Sequence, residues 1–166
     1  MFQGYKCFRE RNWEPLAVEP RSIDAVVLSH AHLDHSGWLP VLARSGFAGP
    51  VYATPATRAL AEVLLLDAAY LQEEDARRAN RYHTSRHAKA LPLFTRADVH
   101  RVLARFRTLS PGREAALGSL RLRFTPVGHL LGAAAVTLVD RKQVLCFSGD
   151  VGRRHDLLMP PPEPLQ

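Results

Sequence analysis

Apolar residues in this chain fall into short runs whose period changes along its length, and each change marks a structural element. Ile23 to Ser29 (IDAVVLS) is a short run rich in β-branched residues and predicts a buried strand. Ser36 is placed to cap a helix running to about Arg44, with Pro40 in its first turn and Gly46 to Pro50 closing it. Val51 to Ala53 predicts a short strand. Pro55 then opens a helix whose apolar positions Leu60, Val63, Leu64, Ala68 and Leu71 recur at helical spacing. From Gln72 to Lys89 the pattern gives way to charge, QEEDARRANRYHTSRHAK, which predicts an exposed connection. Helical spacing returns from Arg96 to Phe106. After the turn signal Pro111-Gly112, strands are predicted over Leu120 to Val127, Ala133 to Val139 and Gln143 to Ser148. Alternating helices and strands followed by a strand-rich second half predict an α/β layered fold, with helices covering sheet faces.

Composition narrows this picture only modestly. A chain of 166 residues with 46% hydrophobic content can build one domain with a sizeable core. The longest apolar stretch, Ala59 to Leu71, carries Glu62 and Asp67 and is far short of the ~20 residues that span a bilayer, so a soluble protein with no membrane partner is expected. Cys7 and Cys146 are far apart, lack C-x-x-C spacing and occur without a secretory apolar segment; free thiols in the cytoplasm fit better than a disulfide scaffold. The formal charge of +6 favours polyanionic partners such as nucleic acid, although a solvated basic surface gives the same count. The final stretch, MPPPEPLQ, is Pro-rich and reads as a linker or a cut.

The candidate chemistry starts where the first predicted strand ends. His30, His32, Asp34 and His35 form H-x-H-x-D-H within six positions. In an extended turn, side chains two apart point the same way, so His30 and His32 can present nitrogens to one ion while the bend into a helix turns Asp34 and His35 to a neighbouring point. Imidazole suits zinc, and a carboxylate adds charge where water is to be deprotonated. Four donors over two points leave both metal spheres open, and zinc takes about four to five. The remaining candidates also follow predicted strands and sit beside glycines: His129 in PVGHLLGAA and Asp150 in CFSGDVGR. Alone, His129 would more often be a structural histidine and Asp150 a turn residue; with the cluster, ligation is the better reading for both. Two metals ~3.5–4 Å apart would activate a shared water for hydrolysis of a phosphoryl group.

At these residues the chain resembles the metallo-β-lactamase-fold hydrolases, whose signature H-x-H-x-D-H is matched in full. GHLLGAA around His129 and SGDVGR around Asp150 look like the β-CASP nuclease branch, which includes RNase J-like enzymes and the endonuclease of pre-mRNA cleavage and polyadenylation. The resemblance implies a partial αββα sandwich of mixed sheets flanked by helices. It also implies that His30, His32 and His129 bind one zinc, that Asp34 and His35 bind a second, that Asp150 bridges them, and that Asp34 is catalytic in orienting the attacking hydroxide. Family members carry a β-hairpin region ending in Asp-Cys-Gly before the segment matching Met1-Phe2-Gln3-Gly4. They continue past the Pro-rich tail into further sheet and a β-CASP region, which supplies another zinc-binding histidine. The expectation is therefore a single incomplete domain over residues 1–166, with two zinc ions in the whole family architecture and an incomplete second site here.

The implied function is a zinc-dependent nuclease acting on RNA, with DNA as the alternative substrate. Arg153 and Arg154 are the nearest candidates to steer the phosphate backbone. Tyr70, Tyr82 and Phe94 do not form a recognisable stacking platform, and His83, His87, His100 and His155 read as solvated histidines before ligands. Exposed sheet edges would make homodimerisation one outcome. Two other readings compete: a small-molecule metallohydrolase of the thioesterase or lactonase kind, against which the third and fourth motifs argue, and a catalytically silent scaffold binding RNA or a partner.

Overall fold

The computed structural model describes residues 1–165, leaving aside the side chains of Lys6 and Arg9. In chain order it contains α1 (Lys6–Glu10), two 3-10 turns (Arg11–Trp13 and Pro20–Ser22), β1 (Val26–Val27), α2 (Leu33–Ser36), α3 (Leu39–Arg44), β2 (Val51–Ala53) and α4 (Pro55–Arg81). After these come α5 (Arg96–Leu103), β3 (Phe106–Thr108), β4 (Glu114–Leu117), β5 (Leu120–Pro126), β6 (Ala134–Val139) and β7 (Val144–Phe147). The mixed α/β class expected from the sequence is what these elements form. Among the described residues no helix is long and apolar enough to cross a membrane.

The chain sorts into two compact units. One, built from Ala25–Ala31, Gly49–Ala61 and the chain from Phe106 onward, holds both sheets. Strands β1, β2 and β3 run parallel in that order, with Val26 opposite Val51 and Val51 opposite Phe106. Strands β4 to β7 form an antiparallel meander. Alternation in LRLRF puts Leu122 and Phe124 on one face of β5, where they are buried with Ala134 and Val136 of β6 against Val27 and Tyr52 of the parallel sheet. Fully burying the larger of these side chains, Leu122, Phe124 and Val136, stabilises by about 1.5–3 kcal/mol each.

The other unit, Met1–Asp24, His32–Ala48 and Glu62–Arg105, is helical. Here α3 packs on α5, burying Leu39, Leu42, Val99 and Val102. A capping box starts α5: the Asp98 N–H donates to Thr95 Oγ1 and the Thr95 N–H donates to Asp98 Oδ2. The buried Asp98 carboxylate is neutralised by Arg101 at 3.1 Å and Arg44 at 3.6 Å.

Several expected boundaries move. The strand expected over Ile23 to Ser29 contracts to Val26–Val27. Ser36 does not cap a helix start: it ends α2, whose N-cap is His32, and its hydroxyl donates back to the His32 carbonyl. Helix α4 runs on to Arg81, through the first half of the expected connection, because Gln, Glu, Ala and Arg are strong helix formers and Glu74 pairs with Arg77 one turn on. Its buried stripe is Thr57, Ala61, Leu65 and Ala68, rotated from the expected one, and Val63 and Leu71 are exposed. Phe106, expected to end a helix, starts β3, and β4 has no counterpart among the expected strands. Both are three- or four-residue strands, too short for a period to show.

Candidate metal centre

The segments that carry His30, His129 and Asp150 lie in the sheet-rich unit. The first leaves β1: the Leu28 N–H continues the parallel pairing to the Tyr52 carbonyl at 2.8 Å, and Ser29 and His30 follow. Ligand sites at the carboxyl ends of parallel strands are the common placement in such sheets. His30 is fully buried, and its Nδ1 lies 3.1 Å from the Ser29 hydroxyl, so the Nε2 edge faces the other donors. A bond of this kind holds the ring's orientation, and with Nε2 turned to a metal the Nδ1–H would donate to the Ser29 hydroxyl. The Ser29 carbonyl in turn accepts the Ala134 N–H at 3.0 Å, tying the histidine segment to the start of β6.

The second segment is the turn between β5 and β6, which carries His129. It is closed by the Val127 N–H to the Ala133 carbonyl (3.1 Å) and the Ala133 N–H to the Leu130 carbonyl (2.9 Å). Two hydroxyls at the start of α4 hold it from below: Thr54 and Thr57 both donate to the Gly132 carbonyl, at 2.7 and 2.8 Å. Gly132 has φ +83, and a Cβ there would come within 2.7 Å of Thr54 Oγ1 and 2.5 Å of the Thr57 nitrogen, so only glycine permits this approach.

The third segment follows β7 and carries Asp150. The Gly152 N–H donates to the Val127 carbonyl at 2.8 Å, and a Cβ on Gly152 would overlap the Gly128 carbonyl oxygen. The backbones bearing His129 and Asp150 are thus in direct contact.

Asp150 Oδ2 lies 3.7 Å from His30 Nε2 and 3.5 Å from His129 Nε2. The rings of His30 and His129 meet edge to face, with centroids 5.1 Å apart. His32 follows one residue after the strand-end segment of this unit, and one donor atom from each of His30, His32, His129 and Asp150 lies within 4.8 Å of the others. Three imidazoles and a carboxylate, converging around a buried histidine, form a donor set that could hold a metal ion. His83, His87, His100 and His155 are not part of this group.

Asp34 and His35 belong to the helical unit, at the opening of α2, with His35 Nε2 3.7 Å from Asp34 Oδ2. The Asp34 carbonyl accepts the Met1 ammonium at 2.7 Å, and burial holds that amine below its usual pKa range against the opposing pull of the Asp34 charge. Arg153 and Arg154 are exposed beyond Asp150. Arg153 lies near Asp156, whose carboxyl is held below the usual range chiefly by the Leu158 and Met159 N–H groups at 2.9 and 3.0 Å, with a smaller contribution from Arg153. Reading the sequence missed the holding residues Ser29, Thr54 and Thr57. Thr54 alone left a trace: it precedes Pro55 and accepts the Thr57 N–H, a helix-start pattern.

The chain is similar to Ribonuclease TTHA0252 of Thermus thermophilus, with 40% identity over 98% of this chain and 33% of the relative. RNase aCSPSF2 of Saccharolobus solfataricus shares 30% over 90% of this chain and 27% of its own length. Transcription termination factor FttA of Pyrococcus abyssi shares 36% over 70% and 16%. The chain spans a third or less of the length of these relatives. They agree with the β-CASP nuclease resemblance carried by the motifs around His129 and Asp150. Residues 4–165 match the family described as the Metallo-beta-lactamase superfamily, and the chain belongs to that superfamily.

Proposed function

We propose that this chain carries the metal-binding portion of a zinc-dependent nuclease that hydrolyses RNA phosphodiester bonds in the cytoplasm. The observation that carries the reading is the convergence of His30, His32, His129 and Asp150 at the ends of strands in a chain similar to two proteins named as ribonucleases.

His30, His32 and His129 would hold one zinc ion, Asp34 and His35 a second, and Asp150 would be shared between them. Zinc bound there supplies Lewis acidity toward water and toward the phosphoryl oxygens. The protein's own contribution is positional. Ser29 orients the His30 ring, and Thr54 and Thr57 fix the turn that presents His129. Asp34, with more than half of its side chain exposed, would also help orient the attacking hydroxide. Arg153 and Arg154 would steer the phosphate backbone.

The test is metal content by elemental analysis combined with cleavage of a labelled RNA, comparing the wild type with His32→Ala and Asp150→Ala. Zinc bound by the wild type, and metal-dependent cleavage lost in both variants, supports the reading. Wild-type turnover in both metal-stripped variants overturns it.

A further inference from the structure

The metal centre leaves unexplained the most basic stretch of the chain. Between Asp75 and Asp98 there is no acidic residue, while Arg77, Arg78, Arg81, Arg86, Lys89 and Arg96 all fall inside it. Two of these cations are neutralised from the preceding turn of α4: Arg77 pairs with Glu74, and Arg96 pairs with Glu73 at 2.9 Å. Among the described residues no ion pair engages Arg78, Arg81, Arg86 or Lys89. Elsewhere in the same unit Arg11, Arg44 and Arg101 each have a carboxylate partner.

Arg78 and Arg81 lie in the last turn of α4, and Arg86 and Lys89 lie in the loop that follows it. The Tyr82 and Thr84 N–H groups close the helix end onto the Arg78 and Ala79 carbonyls. His83 turns the chain at φ +52, a left-handed conformation uncommon outside glycine. The Asn80 side-chain amide clamps the far end by donating to the Ala90 carbonyl at 2.9 Å and accepting the Ala90 N–H at 2.7 Å. The enclosed segment borders a cleft of about 520 Å³ lined by His83, Ser85, His87 and Lys89. Tyr82 is 61% exposed, with the Arg81 guanidinium 5.5 Å from its ring centroid.

Unpaired cations at a helix end and on the loop that follows it, with Arg81 against an exposed aromatic ring, have the chemistry that binds single-stranded nucleic acid: charge tracks the phosphates and the ring offers a face to a base. Resting on the reading that the chain acts on RNA, we propose that Arg78, Arg81, Arg86 and Lys89, with Tyr82, form a docking surface for the backbone of single-stranded RNA.

The test is fluorescence anisotropy of a labelled oligouridylate about twelve nucleotides long, titrated with the full chain in chelator so that hydrolysis is silent. The variant combining Arg78→Ala, Arg81→Ala, Arg86→Ala and Lys89→Ala is expected to bind at least about tenfold more weakly. Its salt dependence should be shallower by about 0.7 for each phosphate that a cation no longer neutralises. Tyr82→Ala should weaken binding by about tenfold with the salt slope unchanged, since stacking releases no counterions. A control removing Arg113, Arg141 and Lys142, exposed cations of the other unit, should change the affinity less. Circular dichroism confirms that each variant is folded. Affinity and slope equal to wild type in the four-fold variant would overturn the surface, as would an equal loss in the control. Cleavage with zinc restored is read separately: RNA bound but not cut by the wild type sinks the nuclease reading and leaves the surface standing.

Discussion

Around His129 and Asp150 the backbone is held mainly by other backbone. The Gly152 N–H meets the Val127 carbonyl, the Ala134 N–H meets the Ser29 carbonyl, and a side chain at Gly152 would occupy the same space as the Gly128 carbonyl. Around Tyr82 the loop is held mainly by side chains: the Asn80 amide clamps Ala90, Gln72 Oε1 accepts the Leu93 N–H, and Glu73 accepts from the backbone and side chain of Arg96. The first construction fixes donor atoms closely because, apart from the short Thr54 and Thr57 side chains, its anchors have no rotatable side-chain bonds between them. The second fixes only the base of a loop and leaves its tip in water. A metal needs the former, since its donors sit at defined distances; a phosphate backbone is served by the latter, since attraction between charges falls off slowly with distance.

The contrast can be broken at graded depths. The largest effect is expected from His32→Ala or Asp150→Ala, which should lower metal-dependent RNA hydrolysis by about a thousandfold or more, the equivalent of several kcal/mol of lost Lewis-acid assistance, while the far-UV dichroism stays near wild type. Next comes Gly152→Ala. Its Cβ forces the Asp150 segment away from Gly128, so zinc affinity should fall by about 10–100-fold in a competition titration and the urea midpoint should drop by the equivalent of about 1–3 kcal/mol. Replacing Thr54 and Thr57 by valine together removes two hydrogen bonds to the Gly132 carbonyl, costing about 1–3 kcal/mol in stability with a smaller loss of zinc affinity. Equal metal binding in both of these variants would mean that the loops are not what positions the donors.

Changes in the basic loop should leave metal binding untouched. Asn80→Ala should speed proteolytic cleavage between residues 81 and 90 without altering zinc content, because the clamp is local. The smallest effect concerns pH. The Arg96 N–H and guanidinium hold the Glu73 carboxyl below its ordinary value of 4.5. A lowered folded-state value contributes stability that is fully present above the unfolded value and is lost as pH falls through the folded one. Glu73→Gln should therefore lower the urea midpoint at pH 7 by the equivalent of less than about 1 kcal/mol, and this difference should shrink as the pH is taken below about 4.5.

Much of the site was legible because its signals are local. H-x-H-x-D-H after a β-branched run, and His129 and Asp150 each beside glycines after a strand, are visible in residue type and spacing. The second half of α4 was not legible as helix, because charge without apolar period looks like a loop until the pairing of Glu74 with Arg77 and the hydrogen bonds of Gln72 and Glu73 are seen. The buried stripe of α4 was misjudged for a related reason: alanines at 61 and 68 are buried while the larger Val63 and Leu71 face out, and size alone does not say which side meets a neighbour.

The sequence by itself determined the candidate donors, the strands that carry them and the family to which they belong, since each depends on residues within a few positions of one another. Only the tertiary structure decided that His30, His129 and Asp150, which lie in three segments far apart along the chain, meet within one cluster, and that Ser29, Thr54 and Thr57 hold it in place. The physical reason is that these interactions run between sheet ends through single hydrogen bonds and missing Cβ atoms. Such features leave no period in the chain, and they acquire an energy only once β1, β5, β6 and β7 are paired and packed.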